Sequence, residues 1–191
     1  IDMLSNELLA GTFGIGTLNG QIGLADGVVY NIEISIKDKA LNETNSTLAE
    51  NITFDVTKPE FTQVSPVASS RVNTQTVSWN VNENLQSGKY TWIHMGGEAD
   101  PAAPHEFNLS DDLLKPGFGD NSKLPSLNLV VNAMYRITLE GTDLAGNTGK
   151  KFVMSVVYDD IPPDLELAYP VNNSAVNHLD ISYSISEQLN V

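Results

Sequence analysis

Oxygen ligands are the main chemistry this sequence offers. Its 191 residues carry 24 Asp and Glu against 10 Lys and Arg, a formal net charge of −14, with three histidines and no cysteine. Asp55, Glu60, Glu83, Asp143 and Asn147 bring the side-chain oxygens that calcium takes, six to eight at a time and several from carboxylates. No EF-hand spacing of the D-x-D-x-D-G kind orders them, so a site must be assembled by the fold from separate loops. Other chemistries are poorly served. Without cysteine there is no disulfide framework, no thiol chemistry and no thiolate zinc site. His94, His105 and His178 show neither H-x-x-H nor H-E-x-x-H spacing. No G-x-S-x-G motif is present, and no Ser/His pair stands out as a nucleophile and its base. The acidic balance also disfavours a phosphate backbone, which needs a cationic face. These residues predict a chain that is not an enzyme and does not bind nucleic acid. No apolar run approaches the ~20 residues of a membrane span, so no membrane insertion is expected of this segment.

The elements that must position those oxygens are written more than once. Asp55, Pro59, Pro66, Val72, Asn73, Ser78 and Glu83 recur as Asp159, Pro163, Pro170, Val176, Asn177, Ser182 and Glu187, at a constant offset (163 − 59 = 104). Leu4, Ser5, Leu8, Leu9, Phe13, Gly14, Tyr30, Asp38, Ala40 and Asn42 recur as Leu109, Ser110, Leu113, Leu114, Phe118, Gly119, Tyr135, Asp143, Ala145 and Asn147, at a slightly larger one (135 − 30 = 105). One residue is therefore gained or lost between Asn45 and Asp55. A period near a hundred residues exceeds any solenoid unit and suits an independently folded domain. The expected organisation is the C-terminal part of one unit at 1–57, a complete unit at 58–161 and the N-terminal part of a further unit at 162–191.

Within the unit the dominant period is two. Val77, Trp79 and Val81 alternate with Ser78 and Asn80, and Tyr135, Ile137 and Leu139 alternate with Arg136 and Thr138. Such alternation marks half-buried antiparallel strands. Further strands are expected at Glu60–Val64, Lys89–His94, His105–Asn108, Leu127–Val130 and Lys151–Tyr158. Turns are expected at Asp26-Gly27, Gly96-Gly97, Pro116-Gly117 and Ala145-Gly146-Asn147. Leu109–Leu114 reads as one helical turn capped by Ser110. About seven short strands per hundred residues predict an all-β chain of tandem immunoglobulin-like β-sandwich domains. Trp92 in the third strand and Tyr135 and Tyr30 at the start of the sixth hold the positions of the buried tryptophan and the tyrosine corner.

Thr142-Asp143-Leu144-Ala145-Gly146-Asn147-Thr148 followed by Asp160-Ile161-Pro162-Pro163 resembles the TDxAGN and DxxPP signature of bacterial immunoglobulin-like repeats of the Big type. The stretch from Gly88 through Gly96-Gly97-Glu98-Ala99-Asp100-Pro101 to His105 and Ser110 is similar to a subgroup found in large cell-surface, adhesin-like proteins. The earlier copy departs from the signature at Leu41, where the family has glycine. The resemblance implies an exported, extended, non-catalytic module at the cell surface. Similar repeats often hold calcium between domains.

In this topology Glu83, Asp143 and Asn147 would gather beside the linker carrying Asp55 and Glu60, making an interdomain calcium site. The competing reading has Asp143 accepting N–H groups of its own turn while Asn147 takes a left-handed conformation. Partners are expected among neighbouring repeats or, since the two partial units leave out only positions 88–105, among head-to-tail copies in a filament. Surface glycans are the alternative, as for an accessory module of a secreted enzyme. Tyr90 and the Met95–His105 segment are then the exposed platform. N-x-S/T sequences at Asn42, Asn45, Asn51, Asn108 and Asn172 read as polar turns in a bacterial protein.

Overall fold

A computed structural model describes residues 23–122, 124–178 and 180–188; the expectations resting on Leu4 to Gly14 lie outside the described residues. The chain is all-β. Its strands are β1 (Val28–Lys37), β2 (Glu43–Phe54), β3 (Phe61–Ser65), β4 (Arg71–Val72), β5 (Ser78–Val81), β6 (Leu85–Gly97), β7 (His105–Asn108), β8 (Gly117–Asp120), β9 (Ala133–Asp143), β10 (Thr148–Tyr158), β11 (Leu165–Tyr169) and β12 (Ser182–Ile185). A single 3₁₀ turn, Asp111–Leu114, stands where the helical turn was expected; Ser110 precedes it but makes no side-chain cap bond.

The middle body has two sheets, β3-β5-β8 and β4-β10-β9-β6-β7. One core lies between them. Phe61, Val77, Trp79 and Val81 from the smaller sheet meet Tyr90, Trp92, Tyr135, Ile137, Leu139, Val153 and Val156 from the larger, all buried. The period-two pattern explains this directly, because each strand turns every second side chain to the same face. In β9 every second residue from Ala133 to Asp143 is buried.

Three expectations need correction. Leu127–Val130 is not a strand: the Leu127 main chain is bonded instead to the Gln75 side chain. Gly96 and Gly97 end β6 rather than forming a turn; Gly97 is left-handed, and a Cβ there would overlap the Asn132 carbonyl. Gly117, expected in a turn, opens β8, which runs opposite β5.

On either side of the body lies a two-stranded sheet, β1-β2 before it and β11-β12 after it. Their registers match pairs inside the body. Tyr30 faces Ile52 as Tyr135 faces Val156, and Leu165 faces Ile185 as Phe61 faces Val81. The extra residue can now be placed. Thr138 and Ile137 face Phe152 and Val153 without a break, whereas Glu33 and Ile32 face Thr47 and Ala49, skipping Leu48. A bulge absorbs the residue by kinking one strand, and Leu48 is exposed.

Candidate metal centre

Three segments of the body converge: the linker after β2, the turn between β5 and β6, and the turn between β9 and β10. They bring carboxylate oxygens of Asp55, Glu83 and Asp143 within 4.8 Å of one another, with Asp55 and Glu83 half-buried and Asp143 buried. Asp143 closes its own turn. Its Oδ1 accepts the N–H groups of Ala145 (2.8 Å) and Asn147 (2.9 Å), and its Oδ2 accepts the Asn147 amide (3.0 Å). The left-handed residue is Gly146 (φ 94°), not Asn147. Glycine meets no steric penalty there, which leaves Asn147 free to point both its N–H groups at Asp143.

Asn147 does more than close the turn. Its side-chain nitrogen also donates to the Asp55 carbonyl at 3.0 Å, tying the linker to the body. It thus presents nitrogen rather than oxygen to the acids. Glu60 stands apart: its main-chain N–H donates to Asn82 Oδ1 (2.8 Å) and its side chain is exposed.

The charges are not evenly balanced. Burial pushes the Asp143 carboxyl up, but hydrogen bonds from the Asn147 side chain and the N–H groups of Asn147, Ala145 and Gly146 outweigh it and hold the group below the usual carboxylate range. Glu83 is pushed up, first by burial and then by the charges of Asp143, Asp55 and Asp26. Every charge acting on it is an acid. Asp26, in the turn before β1, is in turn held low by the Thr57 hydroxyl and the Val56 N–H. A divalent cation among these oxygens would relieve the repulsion. Three carboxylates, with Asp143 already committed to its turn, fall short of six to eight ligands, so water would have to complete the shell.

A second polar cluster escaped the sequence reading. Asp100 is buried, and its Oδ2 accepts both the Tyr135 hydroxyl (2.7 Å) and His105 Nε2 (2.7 Å). The Tyr135 oxygen also accepts the Val130 N–H (2.9 Å), as a tyrosine corner does. Burial, followed by the bond to Asp100, pushes the Tyr135 hydroxyl up to about 12. The network ties the segment between β6 and β7 to the start of β9, so it serves packing. The readable signal was Asp100 before Pro101: the Ala102 N–H returns to Asp100 Oδ1 (3.0 Å), an Asx turn.

Tyr90 is not an exposed platform. It is fully buried, stacked on Phe107 (centroids 5.7 Å apart) and hydrogen-bonded through its hydroxyl to Asn121 (3.0 Å). Trp79 and Trp92 are fully buried as expected. His94 rests edge-on to Tyr135, and His178 pairs with Asp180 at 3.0 Å. No known family model matches the sequence, and no curated protein matches it either.

Proposed function

We propose that this chain is a non-catalytic segment of an extended extracellular bacterial surface protein, built from tandem immunoglobulin-like units that act as a stalk or fibre. The observation that carries the reading is the return of the same side-chain-to-backbone bonds at the repeat offset. Ala25 N–H donates to Tyr30 as Val130 N–H donates to Tyr135. Asp38 accepts from Ala40 and Asn42 as Asp143 accepts from Ala145 and Asn147. Asp55 accepts from Thr57 as Asp159 accepts from Ile161. Sheet order in the body supports the immunoglobulin-like reading, with β3, β5 and β8 against β10, β9, β6 and β7, and with β4 parallel to β10.

The flanking hairpins fit the same reading. Ile32 is 48% exposed, while its counterpart Ile137 is 0% exposed; Ile181 is 63% exposed, while Val77 is 0% exposed. The exposed faces of the hairpins are thus the counterparts of faces that point inward in the body. Calcium at Asp55, Glu83 and Asp143 would brace the junction, with Asn147 positioning the linker.

Pulling the chain mechanically tests the reading. A stalk unit should give an unfolding step matching about a hundred residues of extended chain, at ~3.4 Å each. Gradual extension with no such step would overturn it. The carbohydrate reading loses Tyr90, Trp79 and Trp92 as stacking surfaces, and saturable binding on a glycan array would restore it.

A further inference from the structure

The outer face of the larger sheet carries a cation that nothing answers. Trp92, Ile137 and Val153 point into the core, so Ile93, Arg136, Thr138, Phe152 and Met154 point away from it. The register sets Ile93 beside Arg136 and Thr138 beside Phe152. Phe152 is 51% exposed and Met154 42% exposed. Nearer the turn between β9 and β10, Lys89 pairs with Glu106 (2.9 Å) and Lys150 with Glu140 (2.7 Å), which uses the acids of this face.

Arg136 is left without one. Among the described residues it forms no ion pair. Its Nε is buried without a hydrogen-bond partner, as is the neighbouring Thr138 Oγ1. Its guanidinium rests over the Phe152 ring, 5.5 Å from the centroid. An unanswered cation among exposed apolar side chains suits an anion that arrives with an apolar flank of its own.

The repeat shows that the fold does not demand this face. Arg136, Thr138 and Phe152 correspond to Asn31, Glu33 and Thr47, and Met154, past the bulge at Leu48, corresponds to Glu50. The register is the same, with Glu33 facing Thr47 as Thr138 faces Phe152. Inner positions keep their character, Tyr30 for Tyr135 and Ile32 for Ile137. The outer positions exchange a cationic, apolar surface for an acidic one. Val29, at the place of Met134, keeps an exposed apolar side chain beside those acids. Among the described residues neither Glu33 nor Glu50 forms an ion pair.

We infer that the Arg136 face of β6, β9 and β10 receives a second copy of this chain, which lays the outer face of its β1-β2 hairpin across it. Glu33 and Glu50 meet Arg136, and Val29 meets Phe152 and Met154. Two sheet faces with the same twist stack about 10 Å apart. The two patches differ, so the contact is heterologous; each chain gives one face and receives the other, which makes an open series. A stalk role can fail while this association stands, and the reverse holds equally.

Sedimentation velocity over a concentration series tests the pairing. The wild-type chain should shift to larger species as its concentration rises toward about 1 mM. Arg136→Glu alone, and Glu33→Lys with Glu50→Lys in one chain, should each weaken association about tenfold or more. Mixed in equal amounts, the two variant chains should associate again, because the intact Arg136 face of one meets the intact Glu33 and Glu50 face of the other. The fluorescence of Trp79 and Trp92 should be unchanged in both. If Arg136→Glu disturbs the core, the doubly substituted hairpin, which leaves the body untouched, decides the matter alone. A wild-type chain that stays monomeric throughout would overturn the second copy as occupant and leave the face to another carboxylate-bearing partner. Association that survives the substitutions, or no recovery on mixing two folded variants, would overturn the pairing of these two faces.

Discussion

Glu83 is the residue whose environment is least comfortable. Its ordinary value is 4.5, and burial and three acids raise it. A group raised in the fold contributes stability fully present below its unfolded value, and that contribution is lost as pH rises through the folded value. Ionised Glu83 therefore costs stability at neutral pH unless a cation sits with it. Glu83→Gln should raise the melting temperature in chelator and abolish any increment given by millimolar calcium. A lower melting temperature in chelator, or an increment that survives the substitution, would sink this account. Tyr135 has the same sign at the other end of the scale. Its ordinary value is 10.0 and its folded value about 12, so its contribution is whole below pH 10 and lost by about pH 12. Tyr135→Phe leaves the Asp100 carboxylate and the Val130 N–H short of a partner, and should cost about 1–3 kcal/mol in urea unfolding. Loss of the phenolate absorbance step near pH 12 would identify the same group. Asp100 and Asp143 run the opposite way. Both are held below 3.8, so their contributions are present above that value and lost as pH falls through the depressed ones.

The turn between β1 and β2 is the turn between β9 and β10 with two substitutions, Lys39 for Leu144 and Leu41 for Gly146. Asp38 accepts the N–H of Ala40 and of Asn42, both at 2.8 Å, and Asn42 returns its amide to Asp38. Leu41 has φ 70° where Gly146 has φ 94°. A leucine in the left-handed region costs about 1–2 kcal/mol. Leu41→Gly should therefore slow amide exchange in the hairpin by about tenfold, as ~1.4 kcal/mol implies, and Gly146→Leu should speed exchange around Thr148. Unchanged exchange at Leu41→Gly would mean the strain is absent. The sequence pattern made this turn legible, because Asp and Asn four apart around a glycine carry their own bonding instructions. It made the strand faces legible too, since alternation survives in Val77, Trp79 and Val81. It did not announce β8, because Gly117-Phe118-Gly119-Asp120 has no apolar alternation and is a strand only through its pairing with β5. The convergence of Asp55, Glu83 and Asp143 was legible from topology rather than from spacing. Asp100 was not, since its partner Tyr135 lies 35 residues away.

Across the described residues, the buried apolar side chains are concentrated in the body between the linkers. Both tryptophans, Trp79 and Trp92, lie fully buried in its core, whereas among the described residues each flanking hairpin shares a sheet with no other strand. A two-stranded hairpin alone is marginal in water, because it has too little apolar surface to offset the ordering of its chain. Chain unfolding should therefore split by probe. Far-UV circular dichroism, which sees every strand, should begin to fall at low denaturant, while tryptophan fluorescence should hold until the body gives way in one cooperative step. Noncoincident transitions are the signature of more than one cooperative unit. Amide exchange should rank the same way, with Tyr30 and Tyr183 exchanging well before Trp92 and Ile137. If both probes instead trace one superimposable curve, the hairpins draw stability from the body as one folding unit.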